Sequence, residues 1–369
     1  MKLAKLSLVI FLIFVLGLFR VTFGQNKNQP GEEDINYILM KMQHANSLIK
    51  YQGIMTTILI NNPFSEVCRY KIENFGNILR KEELLTNGLD KEIDYDDGKN
   101  LWRFFPNKNF LIKETTKINH PLNNKSKELL ELVKKNYAIK MLGTYEANNR
   151  ICYKVVFKPK TNDRPQQIYW IDSQTGIPFK IEKYGSDNEL VSLSFFSAID
   201  FQVTADKESL ELMVPPQTEI IEVQEKFNLT LEAVKNQMGN VISFPRYIPP
   251  GFNLNNIILR SLGSEKTIQF FYTDGLSSFS VFQKPLHPIN TTANTPYGDM
   301  KLKEKTTVLR SSGTMNIISI RSNQMATTVM GEISKDAIVK VADSLTPKQQ
   351  EQQQETPITL HSIKSTPTN

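Results

Sequence analysis

Apolar and polar positions alternate along most of this chain, and helical spacing breaks in at only a few places. Ile35, Ile38, Leu39, Met42, Ala45 and Ile49 recur at three- and four-residue intervals, which predicts a helix over 34–49 with one apolar face and Asp34 as its N-cap. Strand patterns follow at 51–61, 66–75, 78–85, 92–95, 100–105, 109–114, 138–146, 150–158, 166–171, 178–184 and 190–203. Turn formers separate them, among them Asn87-Gly88, Asp96-Asp97-Gly98, Asn148-Asn149 and Gly185-Ser186-Asp187-Asn188. One more helix, over 125–135, interrupts the series with Leu129, Leu130, Leu132 and Val133 on its apolar side. Many meandering strands with few helices predict an α+β fold, an antiparallel half-barrel curled around helices, over 34–210.

Pro215-Pro216 marks a boundary, because proline cannot continue a central strand. The stretch 211–243 reads as a linker holding a short helix at 229–238. A second block, 244–346, carries strand patterns at 256–261, 266–273, 277–284, 306–310, 315–321 and 324–331 and a closing helix at 335–344 with Ser334 as its N-cap. It predicts a smaller α+β domain of common size. Residues 347–369 are rich in Gln, Thr and Pro and read as a disordered tail.

The N-terminus reads as an export signal over 1–24: Lys2 and Lys5, an apolar run from Leu6, then small residues before a polar stretch, with cleavage after Gly24. An uncleaved anchor helix is the alternative. The chain holds 44 Lys and Arg against 38 Asp and Glu, a net +6, and loss of Lys2, Lys5 and Arg20 brings this to +3. That charge makes no case for nucleic-acid binding, and the sequence shows no basic stripe interleaved with aromatics. Export would place Cys68 and Cys152, the only two cysteines, in an oxidising compartment, where one disulfide or two separate thiols are both open readings.

Catalytic patterns are missing. There is no nucleophile elbow, phosphate loop or His-Glu-x-x-His, the four histidines are scattered, and no cofactor or metal is expected. Asp94, Asp96 and Asp97 read first as part of a turn. The composition and motifs therefore favour a binding protein over an enzyme. Trp102, Phe104, Phe105, Trp170, Phe179 and Phe195 are candidates for lining an apolar cleft between sheet and helices, with ordinary core packing as the alternative.

The second block has a more specific look. Pro245-Arg246-Tyr247-Ile248-Pro249-Pro250-Gly251-Phe252, then Tyr272-Thr273-Asp274-Gly275-Leu276-Ser277-Ser278-Phe279-Ser280-Val281, then Val329-Met330-Gly331 leading into a helix, resemble the C-terminal domain of the RseB/MucB family. The first block is similar too, with Leu142-Gly143, Arg150-Ile151-Cys152, Ile168-Tyr169-Trp170-Ile171-Asp172-Ser173 and Gly176-Ile177-Pro178-Phe179-Lys180 in the family's order. The resemblance implies a LolA-like half-barrel plus a smaller domain. It implies a periplasmic negative regulator of a sigma-E-type envelope stress response. Such a protein would bind the periplasmic part of a single-span anti-sigma factor and sense lipid or lipopolysaccharide acyl chains. Tyr272, Asp274, Gly275, Leu276 and Phe279, the signature hairpin, are candidate partner contacts, although Asp274-Gly275 is also simply a tight turn. The rival reading is a LolA-like carrier of lipoprotein or lipid.

Overall fold

The computed structural model describes residues 32–61, 64–76, 78–85, 91–114, 126–147, 149–203, 211–286, 306–322 and 324–345. The expected signal at 1–24 and tail at 347–369 lie outside these residues. The first helix, α1, runs Glu32–Leu48. Eleven antiparallel strands follow: β1 (Lys50–Asn61), β2 (Phe64–Phe75), β3 (Leu79–Leu85), β4 (Ile93–Asp96), β5 (Leu101–Phe105), β6 (Phe110–Glu114), β7 (Tyr137–Ala147), β8 (Arg150–Pro159), β9 (Gln166–Asp172), β10 (Pro178–Tyr184) and β11 (Leu190–Asp200). Helix α2 (Ser126–Asn136) sits between β6 and β7. The hydrogen-bonded order across this sheet is β6-β5-β4-β3-β2-β1-β11-β10-β9-β8-β7. The chain thus starts in the middle, builds one wing to β6, and completes the other from β7 back to β11.

Both helices cover one face. Ile38 and Leu39 of α1 and Leu130 and Val133 of α2 bury against Tyr137, Met141, Val155, Phe157 and Ile171. Ala45 of α1 packs with Tyr51, Ile72, Cys152, Ile177, Phe179 and Phe196. These strand residues keep the period of two that puts alternate side chains on one face.

The stretch read as a linker is built into both sheets. Leu212 packs against Trp102 and Tyr95, and Val214 against Phe104 and Leu111. Strand β12 (Glu219–Lys226) then pairs in parallel with β6 over Glu219–Val223. Its last residues, Gln224 to Lys226, pair antiparallel with β13 (Asn253–Leu262). At this joint the Glu225 side chain, 1 % exposed, meets Arg260 at 2.5 Å. Burial raises the Glu225 carboxyl above its usual range; Arg260 opposes the shift and Glu114 adds to it.

Helix α3 (Leu231–Met238), capped by Thr230 Oγ1 accepting from the Ala233 amide at 3.1 Å, leads into the second domain. Its sheet adds β14 (Glu265–Thr273), β15 (Ser278–Pro285), β16 (Thr306–Ser312), β17 (Met315–Arg321) and β18 (Met325–Gly331), in the order β13-β14-β15-β18-β17-β16. Helix α4 (Lys335–Ser344), with Ser334 Oγ accepting from the Ala337 amide as the sequence predicts, buries Ala337, Ile338, Val341 and Ala342 against it.

Candidate functional site

Two features join the domains side by side: a buried polar hub and an open groove. Strand β14 ends in Thr273-Asp274-Gly275-Leu276-Ser277, a turn built by the Asp274 side chain. Its Oδ1 accepts from the amides of Leu276 (2.9 Å) and Ser277 (2.6 Å). Gly275 has φ +100°, and a Cβ there would lie 2.8 Å from the Leu129 carbonyl oxygen of α2, so the turn needs glycine for both its backbone and its fit.

The other oxygen of Asp274 looks into the first domain. Oδ2 accepts from Tyr137 Oη at 2.7 Å and from Arg164 Nη1 at 2.6 Å. Asp274 is fully buried and the Arg164 side chain is 1 % exposed. Arg164 is further held by Asp163 at 2.7 Å and by the Pro250 carbonyl, and its guanidinium lies 4.4 Å from the Phe252 ring centroid. Asn136 Nδ2 donates to the carbonyls of Gly251 and Asp274, both at 3.0 Å, and Gln167 Nε2 donates to Ser277 Oγ at 3.2 Å. Burial and then the Asp274 charge push the Tyr137 hydroxyl far up, so it stays a proton donor.

Beside the hub lies a groove of about 750 Å³ whose walls come from both domains. The first domain supplies the end of β1 (Ile60, Asn61), the β8–β9 connection (Asn162, Arg164, Pro165) and the β10–β11 turn with the start of β11. The second supplies Leu309 and Ser311 of β16, Thr314, Asn316 and the first turn of α4. Several bonds tie the walls together: Gly313 N–H to Asn61 Oδ1 at 2.7 Å, Ser334 N–H to the Asp163 carbonyl at 2.7 Å, and an ion pair between Lys183 and Glu332. Apart from Arg164, which the hub occupies, the charges on the lining are Asp187, Glu189 and Asp336 against Lys335. The groove therefore suits an extended segment with polar or basic side chains.

Of the residues singled out in the sequence, Asp274, Gly275 and Leu276 form the turn of the hub, and the others lie outside both the hub and the groove. Tyr272 and Phe279 stack at 4.7 Å in the core of the second domain, and Asp274, Gly275 and Leu276 face the first domain. The signature hairpin thus holds this chain's own domains together, with Tyr272, Asp274 and Phe279 buried and Gly275 and Leu276 half-buried at its tip.

The six aromatics do not line one cleft. On β5 the period of two turns Trp102 and Phe104 away from Phe105, which stacks on Phe110 at 4.5 Å. Trp102 and Phe104 lie under Leu212 and Val214, on the face opposite α1. Phe179 is core and Trp170, half-buried, packs against the same cluster, whereas Phe195 points away from its buried neighbour Phe196.

Cys68 on β2 and Cys152 on β8 are free thiols, five strand spacings or roughly 24 Å apart along the sheet, so the disulfide reading is corrected. Asp97 builds a turn, accepting from the amides of Lys99 and Asn100 at 2.7 and 2.6 Å. Among the described residues no cluster of His, Cys, Asp and Glu could hold a metal.

The hub residues Asn136, Tyr137, Arg164 and Gln167 escaped sequence reading. Only the Arg-Pro step at Arg164-Pro165, in a polar connection between strands, hinted at a fixed arginine.

Residues 34–214 match the MucB/RseB N-terminal domain, and residues 244–346 match the MucB/RseB C-terminal domain. Among solved structures the chain is similar to a MucA/MucB complex from Pseudomonas aeruginosa, at 17 % identity over 86 % of this chain and 99 % of that one, with a TM-score of 0.56. It is also similar to MucB in complex with MucA(peri) (17 % identity, 85 % and 99 % covered, TM-score 0.53) and to MucB itself (16 % identity, 85 % and 98 % covered, TM-score 0.52). At these identities the likeness is one of fold. No curated protein matches the chain. With both domains matched in order over most of its length, this chain belongs to the MucB/RseB family.

Proposed function

We propose that this protein is an exported, periplasmic regulator that holds the periplasmic part of a single-span anti-sigma factor and so restrains a sigma-E-type envelope stress response. The observation that carries the reading is the groove walled by both domains, whose occupancy depends on how those domains sit against each other. Family membership supports it, as does the MucA found with MucB in solved structures. A carrier of LolA type would need only the first domain, so the second domain and the groove it completes favour regulation.

The lipid-sensing part of the reading needs an apolar surface open to an acyl chain. Helix α1 offers one: Tyr37, Met40 and Leu48 are exposed at helical spacing along one side, at 62 %, 52 % and 75 %. A lipid or lipopolysaccharide acyl group that binds the released state more tightly than the complexed one would shift the population toward release.

The test is crosslinking in living cells with a photoreactive residue in place of Asp187 or Asp336, followed by mass spectrometry of what is attached. Recovery of a single-span membrane protein with a cytoplasmic sigma-binding domain supports the reading. Recovery of lipoproteins or free lipid without such a protein refutes it and favours the carrier.

A further inference from the structure

Strand β16 is an open edge beside the groove. Among the described residues it pairs with β17 only, and residues 307–311 are exposed one after another. Val308 and Leu309 are 43 % and 44 % exposed. The strand holds one charge, Arg310, and no proline, so it lacks the devices that usually guard an edge. Its turn at Gly313-Thr314 is tight. Ser312 and Met315 therefore form a bonded pair, and the backbone groups of Thr307, Leu309 and Ser311 aim away from β17. The edge is also held in place, because Asn61 of β1 donates to Ser312 Oγ at 3.3 Å and accepts from the Gly313 amide. Leu309 and Ser311 form part of the groove wall, so a strand paired with this edge lies along the groove.

The chain itself supplies a matching strand. The sequence runs on from Thr346 to Asn369, and the only apolar residues of that stretch, Ile358, Leu360 and Ile363, fall within 358–363. Pro357 precedes the run and Pro367 follows it, the positions at which proline is compatible with a strand. Ile358, Thr359, Ile363 and Thr366 give it β-branched character. The low hydropathy of the tail belongs instead to residues 348–355, which hold only Lys, Gln and Glu and serve as a tether. Reach is ample. The first turn of α4 lines the groove, the helix is about 15 Å long, and residues 346–357 extend to roughly 40 Å. Charge agrees as well. Residues 356–369 hold Lys364 and no acid, while the groove carries Asp187, Glu189 and Asp336 against Lys335.

We propose that residues 358–364 fold back and add to the open edge of β16 as a further strand, making this chain's own C-terminal segment the resident occupant of the groove. Strand addition draws affinity from backbone hydrogen bonds and specificity from alternate side chains, and the tether supplies a high effective concentration. The inference concerns this chain alone, so its failure leaves the anti-sigma reading where it stands. Where both hold, a partner must displace the segment, and the segment lowers the partner's apparent affinity.

The test is hydrogen exchange of the purified protein, read residue by residue over β16. The amides of Thr307, Leu309 and Ser311 should exchange at least about tenfold faster in Leu360→Pro than in the parent, because proline cannot sit inside a paired strand. The amides of Val308 and Arg310, turned to β17, should not change. Gln352→Pro, in the tether, should behave as the parent does. Both substitutions lie outside the described fold and leave it intact. A benzophenone side chain in place of Leu309 then identifies the occupant, and the expected attachment is to 356–366 of the same chain. Exchange that Leu360→Pro leaves unchanged overturns the proposal. So does attachment to residues 287–305, which would assign the edge to the β15–β16 connection, or to a second copy of the chain.

Discussion

Replacing Asp274 by alanine should loosen the two domains from each other. The carboxylate makes four hydrogen bonds while fully buried: two inside its own turn, one to Tyr137 and one to Arg164. Removing one member of a buried ion pair costs about 3–5 kcal/mol, because the other charge is left in a low-dielectric site. Arg164 keeps Asp163 and the Pro250 carbonyl, so the lower end of that range applies. The two turn amides add about 1 kcal/mol. The sum, about 4 kcal/mol, should lower the melting temperature by roughly 10 °C for domains of this size. Asp274→Asn keeps the turn acceptor and should cost about 3 kcal/mol, since its amide would face the Arg164 donor.

Thermal and urea unfolding measure the loss, and small-angle scattering measures whether the domains separate. A double-mutant cycle with Arg164→Met isolates the contact and should give a coupling of at least about 1.5 kcal/mol. Additive effects, or a loss under about 1 kcal/mol, would refute the hub as the joint.

Gly275→Ala should cost roughly 2–4 kcal/mol from the left-handed backbone and the clash with α2, read by unfolding; a neutral result would mean the turn is not seated on α2. Cys68 should react with maleimide in the native protein. Cys152, buried with its thiol pushed up to about 12, should react only after denaturation, and oxidation should form no intramolecular crosslink. Glu225 is raised in the folded state and so binds its proton more tightly there than in the unfolded chain. The stability of the parent relative to Glu225→Gln should therefore fall as pH rises from about 4 toward neutrality, and a rising difference would contradict the buried joint.

The strands, the helices and the two-domain order were legible because each buried strand repeats with period two and each turn carries its own chemistry. Strand β12 was not. Its residues Glu219–Lys226 lie half in solvent, Ile220 is 55 % exposed, and two prolines precede it, so no face of the strand is marked by hydrophobicity. The hub was illegible for another reason. Arg164 and Asp274 are 110 residues apart, and nothing local to either names the other. The aromatic set shows the opposite case. The neighbours Phe104-Phe105 and Phe195-Phe196 must point to opposite faces of their strands, so the alternation itself separates them.

Strand β12 leaves no clean place to cut this protein in two. A chain ended after Val214 would strip β6 of its outer neighbour and leave its backbone amides and carbonyls open along Phe110–Glu114. A chain begun at Phe244 would lose α3 from beneath the second sheet, together with the three-residue pairing that covers the end of β13. Either fragment presents a bare strand edge, the kind of surface on which chains add to one another. Poor behaviour of a separated half would therefore report this severed seam, and would say nothing against the fold of the half itself.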